Sequence, residues 1–74
     1  MKITVKCYAT LAPFSPQGGV YSLPERATVH DLALALGLPV AEIKIIFVNG
    51  RSAELPDSLH EGDRVGFFPP VGGG

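Results

Sequence analysis

The chain opens on a period of two. In Lys2-Ile3-Thr4-Val5-Lys6-Cys7-Tyr8, Ile3, Val5 and Cys7 alternate with Lys2, Thr4, Lys6 and Tyr8. That spacing predicts a strand with the first set buried and the second turned away. Ala9 to Gly19 carries Pro13, Ser15-Pro16 and Gly18-Gly19 and reads as a connection. Within it Leu11 and Phe14 either cover a core edge or stay open for a partner, and the first is the preferred reading. A second strand follows at Val20-Tyr21-Ser22-Leu23, stopped by Pro24 and paired with the first as an antiparallel hairpin. From Thr28 the period changes. Val29, Leu32, Ala33 and Leu36 stand at i, i+3, i+4 and i+7, the stripe of a short amphipathic helix. Thr28 is placed to cap its first amides, and Asp31 three residues on suits its positive end. Gly37 is a left-handed stop, and Pro39 prevents continuation.

Val40 to Lys44 is ambiguous and fits a turn of helix. Ile45-Ile46-Phe47-Val48 is an apolar strand ending in Asn49-Gly50, the strongest short hairpin signal in the chain. Arg51 to Leu55 is expected to return weakly before Pro56-Asp57. Ser58-Leu59-His60 reads as one helical turn with Leu59 dipping into the core, and Glu61-Gly62-Asp63 as the final turn. Arg64-Val65-Gly66-Phe67-Phe68 is the last strand, with Val65 and Phe67 on one face and Phe68 on the other. Two hairpins, a helix between them and a final strand pack economically as α+β: one main helix on one face of a mixed sheet of four or five strands. The last strand pairs parallel with the first at the sheet centre. This is a β-grasp, ubiquitin-like plan.

Composition narrows the function classes. Seventy-four residues make one small domain, which buries only about 60% of its unfolded surface. With 46% hydrophobic and 18% charged residues it is a globular chain, and its net charge of −1 gives no reason to expect nucleic acid or an anionic membrane as partner. No apolar run reaches the length of a membrane span, and Met1-Lys2 leads straight into a strand pattern, without a signal peptide. One cysteine excludes an internal disulfide framework. The expectation is a cytoplasmic protein, monomeric when free.

The end of the chain is the unusual part. Residues 1–68 are expected to form the domain and residues 69–74 a flexible tail. Pro69-Pro70 cannot continue a strand, and Val71-Gly72-Gly73-Gly74 adds three residues without side chains. Extended, residues 69–74 project roughly 20 Å at ~3.3 Å per residue. A tail of this shape can thread a channel that any side chain would block, although glycine-rich ends also occur as ordinary frayed linkers. Phe68 falls on the sheet face away from the helix, where no internal layer covers it. With Pro69 and Pro70 it is expected to make an apolar docking patch beside the tail.

Gly62-Asp63-Arg64-Val65-Gly66-Phe67-Phe68-Pro69-Pro70-Val71 followed by terminal glycines resembles the sulfur-carrier family of MoaD and ThiS. The Phe-Phe-Pro-Pro-Val run is nearer the MoaD branch, the small subunit of molybdopterin synthase. Val48-Asn49-Gly50 and Leu59-x-x-Gly62-Asp63 are similar more loosely. Gly72 departs from the pattern, since the family often has a small non-glycine residue there. The resemblance implies that Gly74 is the reactive residue and that Phe68, Pro69, Pro70, Val71, Gly72 and Gly73 contact partners. The implied partners are an E1-like adenylyltransferase, the large subunit of molybdopterin synthase and a persulfide sulfur donor. No cofactor is expected on the chain itself, ATP being used by the activating partner.

The chemistry follows from the terminus. An α-carboxylate has a pKa of about 3.5 and is ionised at neutral pH; it is resonance-stabilised, so sulfur does not displace its oxygen directly. Adenylation supplies AMP as leaving group, and a persulfide donor then leaves a nucleophilic thiocarboxylate. The carrier supplies no acid, base or metal. Carriers for thiamine, tungsten cofactor, tRNA thiolation or cysteine synthesis share this chemistry, as does a protein modifier joined to lysines through Gly74. A non-reactive interaction domain is the remaining alternative.

Other chemistry is thinly supported. His30 and His60 form no metal-spaced group with Cys7, whose place on the apolar face favours a core role. Ser15, Ser22, Ser52 and Ser58 lack a nucleophile-elbow context. Gln17-Gly18-Gly19 is not followed by the Lys-Ser/Thr of a phosphate loop. Asp57, Glu61 and Asp63 read either as an acidic patch for a basic partner or as solvated turn residues, the second being the preferred reading.

Overall fold

The computed structural model describes residues 1–70. Five strands and one α-helix follow in the order β1 (Lys2–Cys7), β2 (Val20–Ser22), α1 (Val29–Leu36), β3 (Ile45–Val48), β4 (Arg51–Ser52) and β5 (Arg64–Phe68). They form one mixed sheet with spatial order β2-β1-β5-β3-β4. β5 is parallel to β1, pairing Val5 with Val65 and Cys7 with Phe67. It is antiparallel to β3, pairing Ile46 with Phe67. The last strand is thus the central one, as the pattern predicts. The architecture is the β-grasp.

The alternation in β1 is realised residue by residue: Ile3, Val5 and Cys7 are buried and Lys2, Thr4 and Lys6 exposed. Val29, Leu32 and Ala33 of α1 lie in the same core cluster, with Ile46, Leu59, Val65 and Phe67. Phe67 is wholly buried at 0% exposure and sits between Cys7 and Ile46 in the sheet. Burying such side chains contributes about 1.5–3 kcal/mol each. Leu11 also belongs to the core, and Phe14 packs against it. The connection carrying them is not irregular throughout: it contains 3-10 turns at Ala9–Phe14 and Gln17–Gly19.

The helix ends match the sequence signals. Thr28 Oγ1 accepts from the Asp31 amide at 3.1 Å, and Asp31 Oδ2 accepts from the Thr28 amide at 2.9 Å, a complete capping box. Gly37 has φ 76°, and the Gly37 and Leu38 amides donate to Leu34 and Ala33 carbonyls, the Schellman closure. Val40–Glu42 forms a short 3-10 turn. Asn49 and Gly50 both have positive φ, at 54° and 81°, as a type I′ hairpin turn requires.

Three local expectations need correction. Ser58-Leu59-His60 is not a helical turn: Ser58 forms an antiparallel bridge with Thr28, and the Leu59 amide donates to Ala27 O. Extended pairing with the segment leading into α1 satisfies this backbone while still burying Leu59. The return strand stops at Ser52, because Glu54 and Asp57 close a turn of their own, with Asp57 Oδ2 accepting from the Glu54 amide at 2.9 Å. Asp63 is not a solvated turn residue; it is 8% exposed. Its carboxylate accepts from Asn49 Nδ2 at 2.8 Å and from the His60 amide at 2.7 Å.

Candidate functional site

Because β5 is central, its carboxyl end carries the chain to the sheet margin between β1 and β3. Phe68 is still held in the ladder, opposite Ile45 and accepting from the Lys44 amide at 2.8 Å. Pro69 is partly exposed and Pro70 exposed. The two prolines therefore follow the central strand directly. Val71, Gly72, Gly73 and Gly74, including the expected reactive terminus, lie outside the described residues.

Phe68 points to the helix-free face, as the alternation predicts, but it is not uncovered there. Its ring stacks on Tyr8 with centroids 4.2 Å apart and planes 6° from parallel. Phe47 meets it edge-on at 5.7 Å and 88°. Offset and edge-to-face pairs of this kind add about 0.5–1.5 kcal/mol beyond their area. Phe68 is half-buried as a result, while Phe47 and the neighbouring Ile45 remain 38% exposed. The expected patch is a three-ring platform, not a single aromatic.

Each ring is set by register. The Tyr8 amide donates to Phe67 O at 3.0 Å, extending the β1–β5 ladder by one residue past Cys7. Phe47 pairs with Gly66, and Lys6 pairs with Gly66 from the other side. Gly66 lets the rings lie flat. A Cβ there would stand 3.4 Å from Phe68 Cε1 and 3.5 Å from Tyr8 Cε2. A glycine inside a strand commonly marks such a close approach, which is the one sequence signal for this arrangement. Tyr8, Phe47 and Gly66 were not singled out from the sequence as site residues, because nothing local sets the register of β1, β5 and β3. Lys6 Nζ lies 5.2 Å from the centroid of the Tyr8 ring, within cation–π range.

The remaining chemistry-bearing residues stand elsewhere. Cys7 is buried on the helix side; burial pushes its thiol up, and the Ser15 hydrogen bond only partly opposes this. A thiolate nucleophile is thereby disfavoured. His60 has an 80% exposed side chain, with Nδ1 3.9 Å from Asp63 Oδ2. Among the described residues, no group of three or more His, Cys, Asp or Glu is placed to hold a metal, and no helix is long and apolar enough to cross a membrane. The Thr28 amide, and then its hydroxyl, hold the Asp31 carboxyl below the usual carboxylate range; this is helix capping, remote from the platform.

A family model described as Mut7-C ubiquitin matches residues 1–72. Among solved structures, the chain is similar to a protein from Pyrococcus furiosus assigned as molybdopterin converting factor, subunit 1. The two are 31% identical over 96% of this chain and 99% of that one, with a TM-score of 0.72. It is also similar to the small archaeal modifier protein 1 of Haloferax volcanii, at 25% identity over 95% and 98% of the two chains and a TM-score of 0.74. The HVO 2177 protein of the same organism is 26% identical, with coverage of 100% and 87% and a TM-score of 0.75. No curated protein matches the chain significantly.

Proposed function

Since the chain belongs to the Mut7-C ubiquitin family, with MoaD-like and modifier proteins among its structural relatives, we propose that it is a sulfur carrier activated at Gly74. The observation that carries this reading is the order of the sequence, in which Gly72-Gly73-Gly74 follow, after three residues, a strand that is central in the sheet and bears the aromatic platform. An adenylating partner uses ATP to convert the Gly74 carboxylate to an acyl-adenylate. The outer sulfur of a persulfide donor displaces AMP to give an acyl disulfide. A second thiol attacks the donor's inner sulfur, forming a disulfide with it and releasing the Gly74 thiocarboxylate, which passes its sulfur to an acceptor. The similarity to a molybdopterin converting factor subunit and the Phe67-Phe68-Pro69-Pro70-Val71 run favour molybdopterin formation, with the large synthase subunit as recipient partner. The chain acts as a non-catalytic subunit. Its contribution is to hold Phe68 and Pro69 in fixed register, so that partners meet the terminus in one orientation.

Intact-mass spectrometry after incubation with a matched adenylating enzyme, ATP and a persulfide donor tests this. Exchange of one terminal oxygen for sulfur is expected, and deletion of Gly74 is expected to abolish it. An unchanged mass beside a demonstrably active partner would refute the carrier reading. Phe68→Ala is expected to weaken binding to the activating enzyme at least tenfold while circular dichroism shows the fold retained. Unchanged affinity on titration removes the docking role of Phe68.

A second reading has its own support in the similarity to small archaeal modifier protein 1: the same adenylate, with lysine amines of target proteins as acceptors. Trypsin cuts after Arg64, so conjugation leaves the Val65–Gly74 segment on the modified lysine. Mass spectrometry of cell extracts for that remnant distinguishes a modifier from a carrier.

A further inference from the structure

The β3–β4 turn is built from Asn49 and Gly50, both exposed, and Asn49 is the only asparagine in the chain. Its side-chain amide is clasped at both ends. Oδ1 accepts from the Arg64 amide at 2.9 Å, and Nδ2 donates to Asp63 Oδ1 at 2.8 Å. The Asn49 backbone amide donates to Arg64 O at 2.8 Å, so the residue adds a rung to the β3–β5 ladder beyond Val48–Val65. Asp63 anchors the clasp. Its carboxylate is buried, its second oxygen accepts from the His60 amide at 2.7 Å, and its carbonyl accepts from the Thr4 amide at 3.0 Å. The Asn49 side chain therefore stands where β1, β3 and the start of β5 meet. Asparagine is also a thermolabile residue. Its amide carbon is most open to attack by the next backbone nitrogen when that nitrogen belongs to glycine, which has no side chain to hinder the approach.

We propose that Asn49–Gly50 is a self-modification site, at which opening of the turn is made permanent by loss of the Asn49 side-chain amide. The Gly50 nitrogen gives up its proton to solvent and bonds to Asn49 Cγ. The Cγ–Nδ2 bond breaks, and Nδ2 leaves as ammonia after taking up a proton. Water then opens the cyclic imide. Hydrolysis between Cγ and the Gly50 nitrogen gives aspartate at position 49. Hydrolysis between the backbone carbonyl carbon and that nitrogen gives isoaspartate, with the chain rerouted through Cγ. One water is consumed, one ammonia is released, and nothing is oxidised or reduced. In the closed turn the hydrogen bonds hold Oδ1 and Nδ2 against Arg64 and Asp63, so Cγ is not free to swing onto the Gly50 nitrogen. The reaction belongs to chains whose clasp has opened locally. Either product prevents the clasp from closing again. Aspartate puts a carboxylate oxygen where Nδ2 donated, 2.8 Å from Asp63 Oδ1, so two acceptors of like charge face each other. Isoaspartate adds a backbone carbon to a turn whose φ angles of 54° and 81° belong to the two-residue form. The site is independent of the chemistry at Gly74.

The test incubates the full chain at mildly alkaline pH, folded in buffer and unfolded in guanidinium chloride. The tryptic peptide Ile45–Arg51 is then followed by liquid chromatography and mass spectrometry; it contains Asn49 but not Gln17, the only other side-chain amide. The unfolded chain is expected to convert this peptide into separate aspartate and isoaspartate forms, with ammonia released in equal amount. The folded chain is expected to do so about tenfold or more slowly. Asp63→Asn keeps the shape of the anchor but removes its charge, and is expected to speed both conversion in the folded chain and hydrogen exchange of the Arg64 amide. Should that variant fail to fold, the wild type at denaturant concentrations below its transition gives the same comparison of conversion with exchange. Asn49→Asp, which imitates one product, is expected to have a folding constant about tenfold or more smaller than the wild type. Equal conversion of folded and unfolded chains overturns the proposal, as does an unfolded chain that keeps its amide. So does faster Arg64 exchange without faster conversion. An Asn49→Asp chain as stable as the wild type, with the Arg64 amide equally protected, overturns the claim that the change is one-way.

Discussion

Gly66 decides how close two aromatic rings come to the sheet. A Cβ at 3.4 and 3.5 Å from Phe68 and Tyr8 is in ordinary contact, so alanine fits; the branched methyls of valine do not fit beneath the stack. Gly66→Val is therefore expected to keep a strand-compatible backbone but to lift Phe68 from Tyr8 and weaken partner binding. Ring-proton chemical shifts of Tyr8 and Phe68 by NMR report the lost stacking, and unchanged shifts would contradict it. Asn49 is a second decisive residue. Its Nδ2 donates to Asp63, and its Oδ1 accepts from the Arg64 amide at 2.9 Å. Asn49→Gly keeps the positive φ that the turn demands but removes both bonds, leaving a buried carboxylate short of a donor. A loss of about 1.5–3 kcal/mol is expected by denaturant unfolding. A near-neutral result would mean that water replaces the amide.

Among the elements, α1 is eight residues long, too short to persist without its ends and its packing. Thr28→Ala is expected to cost about 1 kcal/mol. The Asp31 half of the box depends on pH. Its carboxyl titrates lower in the folded chain than in the unfolded chain, so its stabilisation is complete above the unfolded pKa of about 3.9 and is lost as pH falls through the depressed folded value. The melting-temperature gap between wild type and Asp31→Asn is thus expected to be constant near neutrality and to close below about pH 4. A gap that persisted in acid would assign the effect to something other than the carboxylate. The helix was readable from sequence because every one of these signals is local. The faces of β1 and β5 were readable for the same reason, period two being an intrinsic property of a strand. Ser58–His60 was misread because a buried leucine flanked by polar residues fits a helical turn or an extended bridge equally, and its partner Thr28 lies thirty residues away. Asp63 was misread likewise, its partner Asn49 arriving from a different hairpin.

At the scale of the whole molecule, the fold was legible from element order, and the exit of the chain from a central strand followed from it. The platform was not legible. Tyr8, Phe47 and Phe68 come from three strands, and only the β1–β5–β3 register brings them together. The same register has a temporal consequence. The strand at the middle of the sheet is the last of the five to be synthesised, and its pairing with β1 joins Thr4 to Arg64. Until it arrives, β1–β2 and β3–β4 are isolated hairpins with unpaired inner edges, each marginal in water. Closing the loop from Thr4 to Arg64 costs chain entropy before any central contact repays it. A ribosome-bound chain lacking β5 therefore has neither a closed sheet nor the ring stack of Tyr8, Phe47 and Phe68, and both arise in a single step when β5 emerges.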